Sequence, residues 1–135
     1  MSVEENKALV RRSIEALNDL DLKALDEIYA PALRPMARQI AEMTEKTWGD
    51  HRTEITDMVA EGDAVWVRLA TSGGHVGEFA GIPPTGKRWT NTGVLFLRLQ
   101  DGKIAQADAL FDVMNHVKQL GATLTLPVPT AGAIR

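Results

Sequence analysis

The hydrophobic pattern of this 135-residue chain changes its period near His51, and that change restricts the fold class. Before His51, apolar residues recur at helical spacing, which predicts helices at 4–18, 22–29 and 35–48. After it, segments rich in Val, Ile, Leu, Thr and Trp alternate with glycine-containing turns, which predicts strands at 53–60, 64–72, 88–100 and 103–111. A last helix is predicted from 113 to 120, ending at Gly121. Helices followed by strands joined largely as antiparallel hairpins indicate an α+β fold.

Several turn and strand motifs follow one another in a recognisable order. A Glu61-Gly62-Asp63 turn leads into a strand that carries Arg68, and the segment 77–87 reads Gly-Glu-Phe-Ala-Gly-Ile-Pro-Pro-Thr-Gly-Lys. An Asp-Gly-Lys-Ile turn at 101–104 opens the fourth predicted strand, and Asp112 stands ahead of a final helix that ends in Gln-Leu-Gly. Over most of its length the chain resembles the SnoaL-like polyketide cyclases. The resemblance implies a cone-shaped, curved antiparallel sheet packed against N-terminal helices, with a short C-terminal helix.

Length and composition favour one domain. A chain of 135 residues with 44% apolar content is sufficient for one core and too short for two ordinary ones. We predict a single domain at 1–122 and a Pro/Ala-rich tail at 123–135 that has no periodicity. Members of the family usually carry a short strand between the second and third helices, whereas here Tyr29 and Pro31 lead almost directly into the third helix. The rim of the pocket is therefore expected to differ from that of the family.

Charge and cysteine content exclude several classes of function. The net charge of −3 comes from scattered charges of both signs, so neither a nucleic acid nor a membrane surface is an expected partner. Cysteine is absent, which excludes disulfides, thiolate metal sites and a cysteine nucleophile. The N-terminus lacks the regions of a signal peptide, and a cytoplasmic protein is expected. By resemblance alone we expect a homodimer.

Asp112 is the first candidate for catalysis. The resemblance places the general acid/base of the family at this position, where a carboxylate sheltered among apolar side chains can pass a proton near neutral pH. An Asp immediately before a helix is also a common N-cap. Both interpretations stay open from the sequence.

Asp108 and Gln106 lie on the same predicted strand as Asp112. Strict alternation would place Ile104, Gln106, Asp108 and Asp112 on one face, looking into water or into a polar-lined cavity. The family commonly has Glu-His-Trp where this chain has Gln-Ala-Asp at 106–108, so a carboxylate replaces a bulky ring. Asp108 and Asp112 would lie about 13 Å apart along a strand, too far to share one proton.

Arg68 and His75 complete the candidate catalytic groups. If Trp66 and Arg68 point inward, the guanidinium is able to hold a carboxylate or a substrate carbonyl, and in the reverse orientation it lies in solvent. His75 matches a histidine of the family and is interpreted as a base, a proton relay or a hydrogen-bonding partner of the loop. His51 and His116 match nothing, and the three histidines show no metal-ligand spacing, so no metal is predicted.

Apolar and amide side chains provide the expected substrate contacts, although core packing explains most of the apolar ones equally well. Of Asn91 and Thr92, one must face the cavity. The predicted substrate-binding residues are Trp66, Trp89, Asn91, Gln106, Phe79 and Met36.

Three functions remain open. The first is a cofactor-free cyclase or isomerase, of the lyase or isomerase class, that acts on a polyketide-like hydrophobic natural product through a pocket aspartate. The second is an epoxide hydrolase or epoxide-opening ether cyclase that uses Asp108, Asp112 and Arg68. The third is a small-molecule-binding or dimerisation module without chemistry, which the altered rim favours.

Overall fold

A computed structural model of the chain describes residues 1–123, 125 and 127, so most of the predicted tail lies outside it. The helices in this range are α1 (Val3–Asp19), α2 (Leu22–Ile28), α3 (Arg34–Thr47) and α4 (Val113–Gln119). The strands are β1 (Trp48–Glu61), β2 (Ala64–His75), β3 (Arg88–Gln100) and β4 (Lys103–Phe111). They form one open antiparallel sheet in the order β1-β2-β3-β4, which confirms the predicted α+β class.

Side-chain caps begin α1 and α2. The Ser2 hydroxyl accepts a hydrogen bond from the Glu5 N–H, and the Glu5 carboxylate accepts one from the Ser2 N–H, which together form a capping box for α1. Asp21 caps α2, because its carboxylate accepts from the Ala24 N–H at 3.1 Å. No described helix is long and apolar enough to cross a membrane.

The first strand begins five residues before its predicted start. Gly49 and Asp50, which follow the predicted end of the third helix, lie inside β1, where Gly49 pairs with Gly74. Asp50 adopts a φ of 51° at an irregularity in the pairing of β1 with β2. Residues that are typical of a turn therefore lie within a strand here. As a result Trp48 and His75 become partners across β1 and β2.

The connection between α2 and α3 is short, as the sequence indicates. A 3-10 turn (Pro31–Leu33) joins the two helices. Within the described residues, strand-like pairing here is limited to one bridge between Tyr29 and Ile104, with the Ala30 N–H donating to the Ile104 carbonyl at 2.9 Å.

A bulge in β4 changes which side chains share a face of the sheet. Leu99 pairs with Ile104 and Arg98 pairs with Gln106, so Ala105 is an extra residue. Ile104 is fully buried, whereas Gln106 is exposed. The prediction that Ile104, Gln106 and Asp108 share one face is therefore wrong, since one inserted residue inverts the alternation.

The helices α1 to α3 cover one face of the sheet, called here the inner face, and leave the other, the outer face, bare among the described residues. Burying apolar side chains between these layers is the main force that stabilises the fold. The side chains with the least exposure in this core are Val10, Leu25, Ile28, Val65, Val67, Leu97 and Ile104.

Candidate active site

The outer face carries four of the predicted site residues. Trp66 is 50% exposed, and Arg68 points to the same side, where its guanidinium donates to the Thr56 hydroxyl at 3.3 Å. Val65, Val67 and Leu69 lie on the inner face. Of the two orientations considered for Arg68, the structure therefore shows the one in which its side chain lies in solvent. On β4, Gln106 donates to the Asp108 carboxylate at 3.1 Å, and both are exposed. Their proposed roles remain predictions that their positions do not support.

The inner face carries a row of buried polar side chains. Thr53, Thr71 and Asn91 lie opposite one another on β1, β2 and β3, and all three are buried. Asn91 points inward while Thr92 is exposed, which answers the question that the sequence left open. We call these three residues the inner polar row. Hydroxyl and amide groups in a buried row are available to bind the oxygens of a ligand.

Helix α4 replaces a strand at the end of this row. β4 pairs with β3 as far as Gly93, so among the described residues no strand lies beside the edge of β3 before Gly93. Gln119 fills this gap, since its side chain accepts from the Thr90 N–H at 2.9 Å and donates to the Thr90 carbonyl at 2.6 Å. Asn115, one turn earlier, donates to the Asn91 side-chain oxygen at 3.3 Å. This contact was not predicted, although two amides four residues apart on a helix are a signal for it.

Asp112 joins β4 to α4, its N–H lies 3.4 Å from the Thr92 carbonyl on β3, and its side chain is exposed rather than sheltered. One carboxylate oxygen accepts from the Asn115 N–H at 3.0 Å, so the predicted cap is confirmed. The other carboxylate oxygen has no hydrogen bond to the described residues. Through Asn115, this carboxylate is connected to Asn91. Asp112 therefore both caps α4 and presents a free oxygen.

The surroundings of Asp112 are apolar and uncovered in the part of the chain that the structure describes. Its neighbours Phe111, Val113 and Met114 are exposed, the last two by half or more. The Phe111 ring lies across Gly93, where any larger residue would collide with it. Exposed apolar side chains clustered around a polar group often mark a ligand-binding surface.

His75 holds the loop that follows β2. The side chain is fully buried, and its Nδ1 accepts from the Thr85 N–H at 3.2 Å and lies 2.9 Å from the Thr85 hydroxyl. Since Nδ1 is an acceptor, the neutral ring carries its proton on Nε2. Of the three roles predicted for His75, the geometry shows the hydrogen bond to the loop, and the two catalytic roles stay predictions.

The three histidines, which are scattered in the sequence, come together around two tryptophans. The His116 ring lies 4.0 Å from the Trp89 ring and 4.8 Å from the Trp48 ring, measured between centroids. His75 contacts Trp48 from β2, and His51 approaches Trp89 from β1. We call Trp48, His75, Phe79, Trp89 and His116 the aromatic cluster. Among the described residues, these side chains form no group suited to a metal ion.

Burial alters the titration of two of these rings. It lowers the pKa of His51, and it lowers the pKa of His116, where the charges of His75 and His51 add to the effect. In both rings, burial disfavours the protonated form.

The remaining predicted substrate-binding residues, Trp89, Phe79 and Met36, lie in two places. Trp89 is 3% exposed and belongs to the aromatic cluster, as does Phe79, whose ring is 4.8 Å from Trp48. Met36 lies on α3 and packs against the apolar core. Of the predicted binding residues, Asn91 is the one that a hydrogen bond connects to the helix after Asp112.

Comparison with known proteins identifies a family and several relatives of this chain. The model of the SnoaL-like polyketide cyclase family matches residues 7–120. The aklanonic acid methyl ester cyclase DnrD of Streptomyces peucetius is 31% identical over 88% of this chain and 92% of its own length. The corresponding cyclase AcmA of Streptomyces galilaeus is 28% identical, with the same coverage of both chains.

Solved structures agree with this assignment. TsrD from Streptomyces laurentii superimposes with a TM-score of 0.81 at 28% identity, over 91% of this chain and 99% of its own. An epoxide hydrolase from M. tuberculosis, described as LEH-like, has a TM-score of 0.69 at 19% identity, over 87% of this chain and 90% of its own. At that identity the likeness shows a shared fold and nothing further. On the family match and these relatives, the chain belongs to the SnoaL-like polyketide cyclase family.

Proposed function

We propose that this protein is a cyclase that closes a ring in a polyketide-derived ester, with Asp112 as the group that moves the proton. The observation that carries the proposal is the position of Asp112. Its carboxylate has a free oxygen, stands among exposed apolar side chains and is connected through Asn115 to the inner polar row. The family and the methyl ester cyclases named above support the reaction class.

The reaction proposed is an intramolecular aldol addition. The Asp112 carboxylate removes a proton from a carbon next to a carbonyl group, and the C–H electron pair forms an enolate. The enolate carbon then attacks a second carbonyl carbon of the same molecule, which forms one C–C bond and an alkoxide. The alkoxide takes the proton back from Asp112, so atoms and charge balance and no cofactor is needed. A positioned carboxylate typically contributes about 10²- to 10⁴-fold to such a proton transfer.

The inner polar row supplies the orientation that the reaction needs. Asn91 of this row, whose side-chain oxygen accepts from Asn115, also carries a neutral side-chain NH2 donor, and such a group stabilises an oxygen that gains negative charge as the enolate forms. Holding two ends of a flexible chain in contact also lowers the barrier, because the entropy of bringing them together is lost on binding. Few titratable groups are then required.

The test compares two aspartates that differ in position. Asp112→Asn keeps a side chain that caps helices well, so α4 should persist while the base is lost. We expect kcat with aklanonic acid methyl ester to fall about 10²- to 10⁴-fold. The matched control, Asp108→Asn, lies on the outer face and should leave turnover unchanged.

The other outcomes separate the alternatives. Equal losses in both variants, together with turnover of an epoxide probe, would favour the epoxide reaction and contradict the cyclase proposal. Saturable binding of the ester without turnover by the natural sequence would favour the module that binds without chemistry.

We further propose that the protein forms a homodimer through the outer face. Apolar side chains cross this face in register, with Val59 opposite Trp66, Trp66 opposite Phe96, and Val94 opposite Leu110. Uncovered apolar area of this kind is typical of protein interfaces. Trp66→Glu should convert a dimer to a monomer in light scattering, whereas Thr92→Glu, elsewhere on the same face, should not. A natural sequence that is monomeric at high concentration would overturn this proposal.

A further inference from the structure

Helix α4 is short, and one of its sides holds it against the sheet. Its seven residues carry two exposed apolar side chains at the start, Val113 and Met114, while His116 and Val117 are buried. A helix of this length is not stable alone in water, so its position depends on its contacts. The amides of Asn115 and Gln119 fix it to the edge of β3. The ring of His116 lies inside the aromatic cluster, and Leu120, directly after the helix, packs against Trp48 and Trp89 as well.

The packing of His116 is tight and lacks polar compensation. The ring is stacked on Trp48 and on Phe79, with interplanar angles of 26° and 28°, and is tilted on Trp89. The side chain is 8% exposed, and its buried Nε2 has no hydrogen-bond partner among the described residues. The His116 ring thus contacts three structural elements, namely β1, β3 and the loop after β2.

We propose that His116 is a positioning residue, whose neutral ring keeps α4 docked so that Asp112 and Asn115 stay beside the inner polar row, and whose protonation releases this helix. The effect of helix release on turnover rests on the proposed cyclase function. The release of the helix itself is independent of that function.

The charged and titratable groups around His116 determine the direction of the response. His51 faces it from β1 and His75 from β2, while β3 and the loop contribute the uncharged rings of Trp89 and Phe79. On the helix itself, the Asp112 carbonyl accepts from the His116 N–H at 3.1 Å, and Lys118 is exposed. A proton on His116 would therefore be buried with two further basic rings nearby. No carboxylate contacts the ring from these elements.

The sign of the pH effect follows from this environment. Burial lowers the pKa of His116 below that of a free imidazole, so the docked helix binds the proton less well than the released one. Docking is favoured fully above the unperturbed pKa of about 6.5 and is weakened as the pH falls below it. The loss stops growing once the pH is below the lowered pKa of the docked ring.

Hydrogen exchange on the unliganded protein tests this mechanism without any substrate. Protection factors, which correct for the intrinsic pH dependence of exchange, are measured for α4 amides, with α1 amides as the internal reference. Between about pH 7.5 and pH 5.5 we expect α4 protection to fall by up to about tenfold while α1 protection changes little. His116→Phe keeps an aromatic ring that cannot take a proton, so α4 should respond much less in this variant. His51→Phe, a control in the same cluster, should retain most of the response.

Three results would overturn the proposal. They are a constant protection ratio of α4 to α1, an equal acid response in His116→Phe and the natural sequence, or a His116 ring that titrates at or above about 6.5 by NMR. The NMR titration uses the natural protein and decides the matter if the variant does not fold. Where turnover is measurable, the acid limb of kcat should shift to lower pH in His116→Phe. Helix release without any change in turnover would separate this mechanism from the cyclase function.

Discussion

The two faces of the sheet carry similar residue types in opposite environments. The inner face buries Trp89 in the aromatic cluster, while the outer face exposes half of Trp66. Both tryptophans are in contact with another aromatic ring, Trp89 with Trp48 and Trp66 with Phe96. The difference lies in what covers them, because helices and the loop lie over the inner face within the described residues. Aromatic content alone therefore does not locate a binding site in this chain.

Truncation of neighbouring residues on β3 should separate the faces most strongly. Leu97 is 1% exposed and points inward, so Leu97→Ala should lower the free energy of unfolding by about 2–5 kcal/mol. Phe96, the adjacent residue, lies on the outer face against Trp66, and Phe96→Ala should cost about 1 kcal/mol. Urea unfolding at one fixed protein concentration measures both. Equal losses would mean that the outer face is covered as completely as the inner one.

His75 tests whether polar burial on the inner face is structural. His75→Leu fills similar space but cannot accept from the Thr85 N–H, so we expect a loss of about 1–3 kcal/mol and faster proteolysis of the loop at 76–87. Thr85→Val removes the hydroxyl and keeps that N–H, and should have the smaller effect. If the loop of His75→Leu is cleaved no faster than the natural one, the anchoring role is wrong.

Gln119 tests the boundary between the sheet and α4. Gln119→Ala removes two hydrogen bonds to Thr90 and should lower stability by about 1 kcal/mol. Amide exchange at Thr90 should accelerate, whereas Lys118→Ala, the exposed neighbour, should not change it. An unaltered rate at Thr90 in Gln119→Ala would show that another group protects this edge.

The outer face should show the smallest effect. Arg98 and Asp63 form an ion pair at 2.9 Å with both side chains about half exposed. Asp63→Asn should change stability by no more than about 0.5 kcal/mol, since exposed pairs contribute little. Added salt should reduce the difference further. A larger cost, independent of salt, would point to a buried role for this pair.

Local signals in the sequence predicted the elements well and the faces less well. The turn at Gly62, the cap at Asp112 and the fold class depend on residues close in sequence, and all three are confirmed. The prediction that Ile104 shares a face with Gln106 and Asp108 was wrong because an extra alanine in β4 inverts the alternation, and nothing local marks it. The convergence of His51 and His116 also escaped prediction, since it depends on packing between residues far apart in the chain.

The hydrogen bonds from Gln119 and Asn115 have a consequence for solubility. An uncovered strand edge is a template on which other chains can add strands and aggregate. At Thr90 the side chains of α4 occupy the backbone groups that such a strand would use. A short helix thus blocks the end of a sheet against aggregation, and any condition that detaches α4 should first appear as self-association through β3.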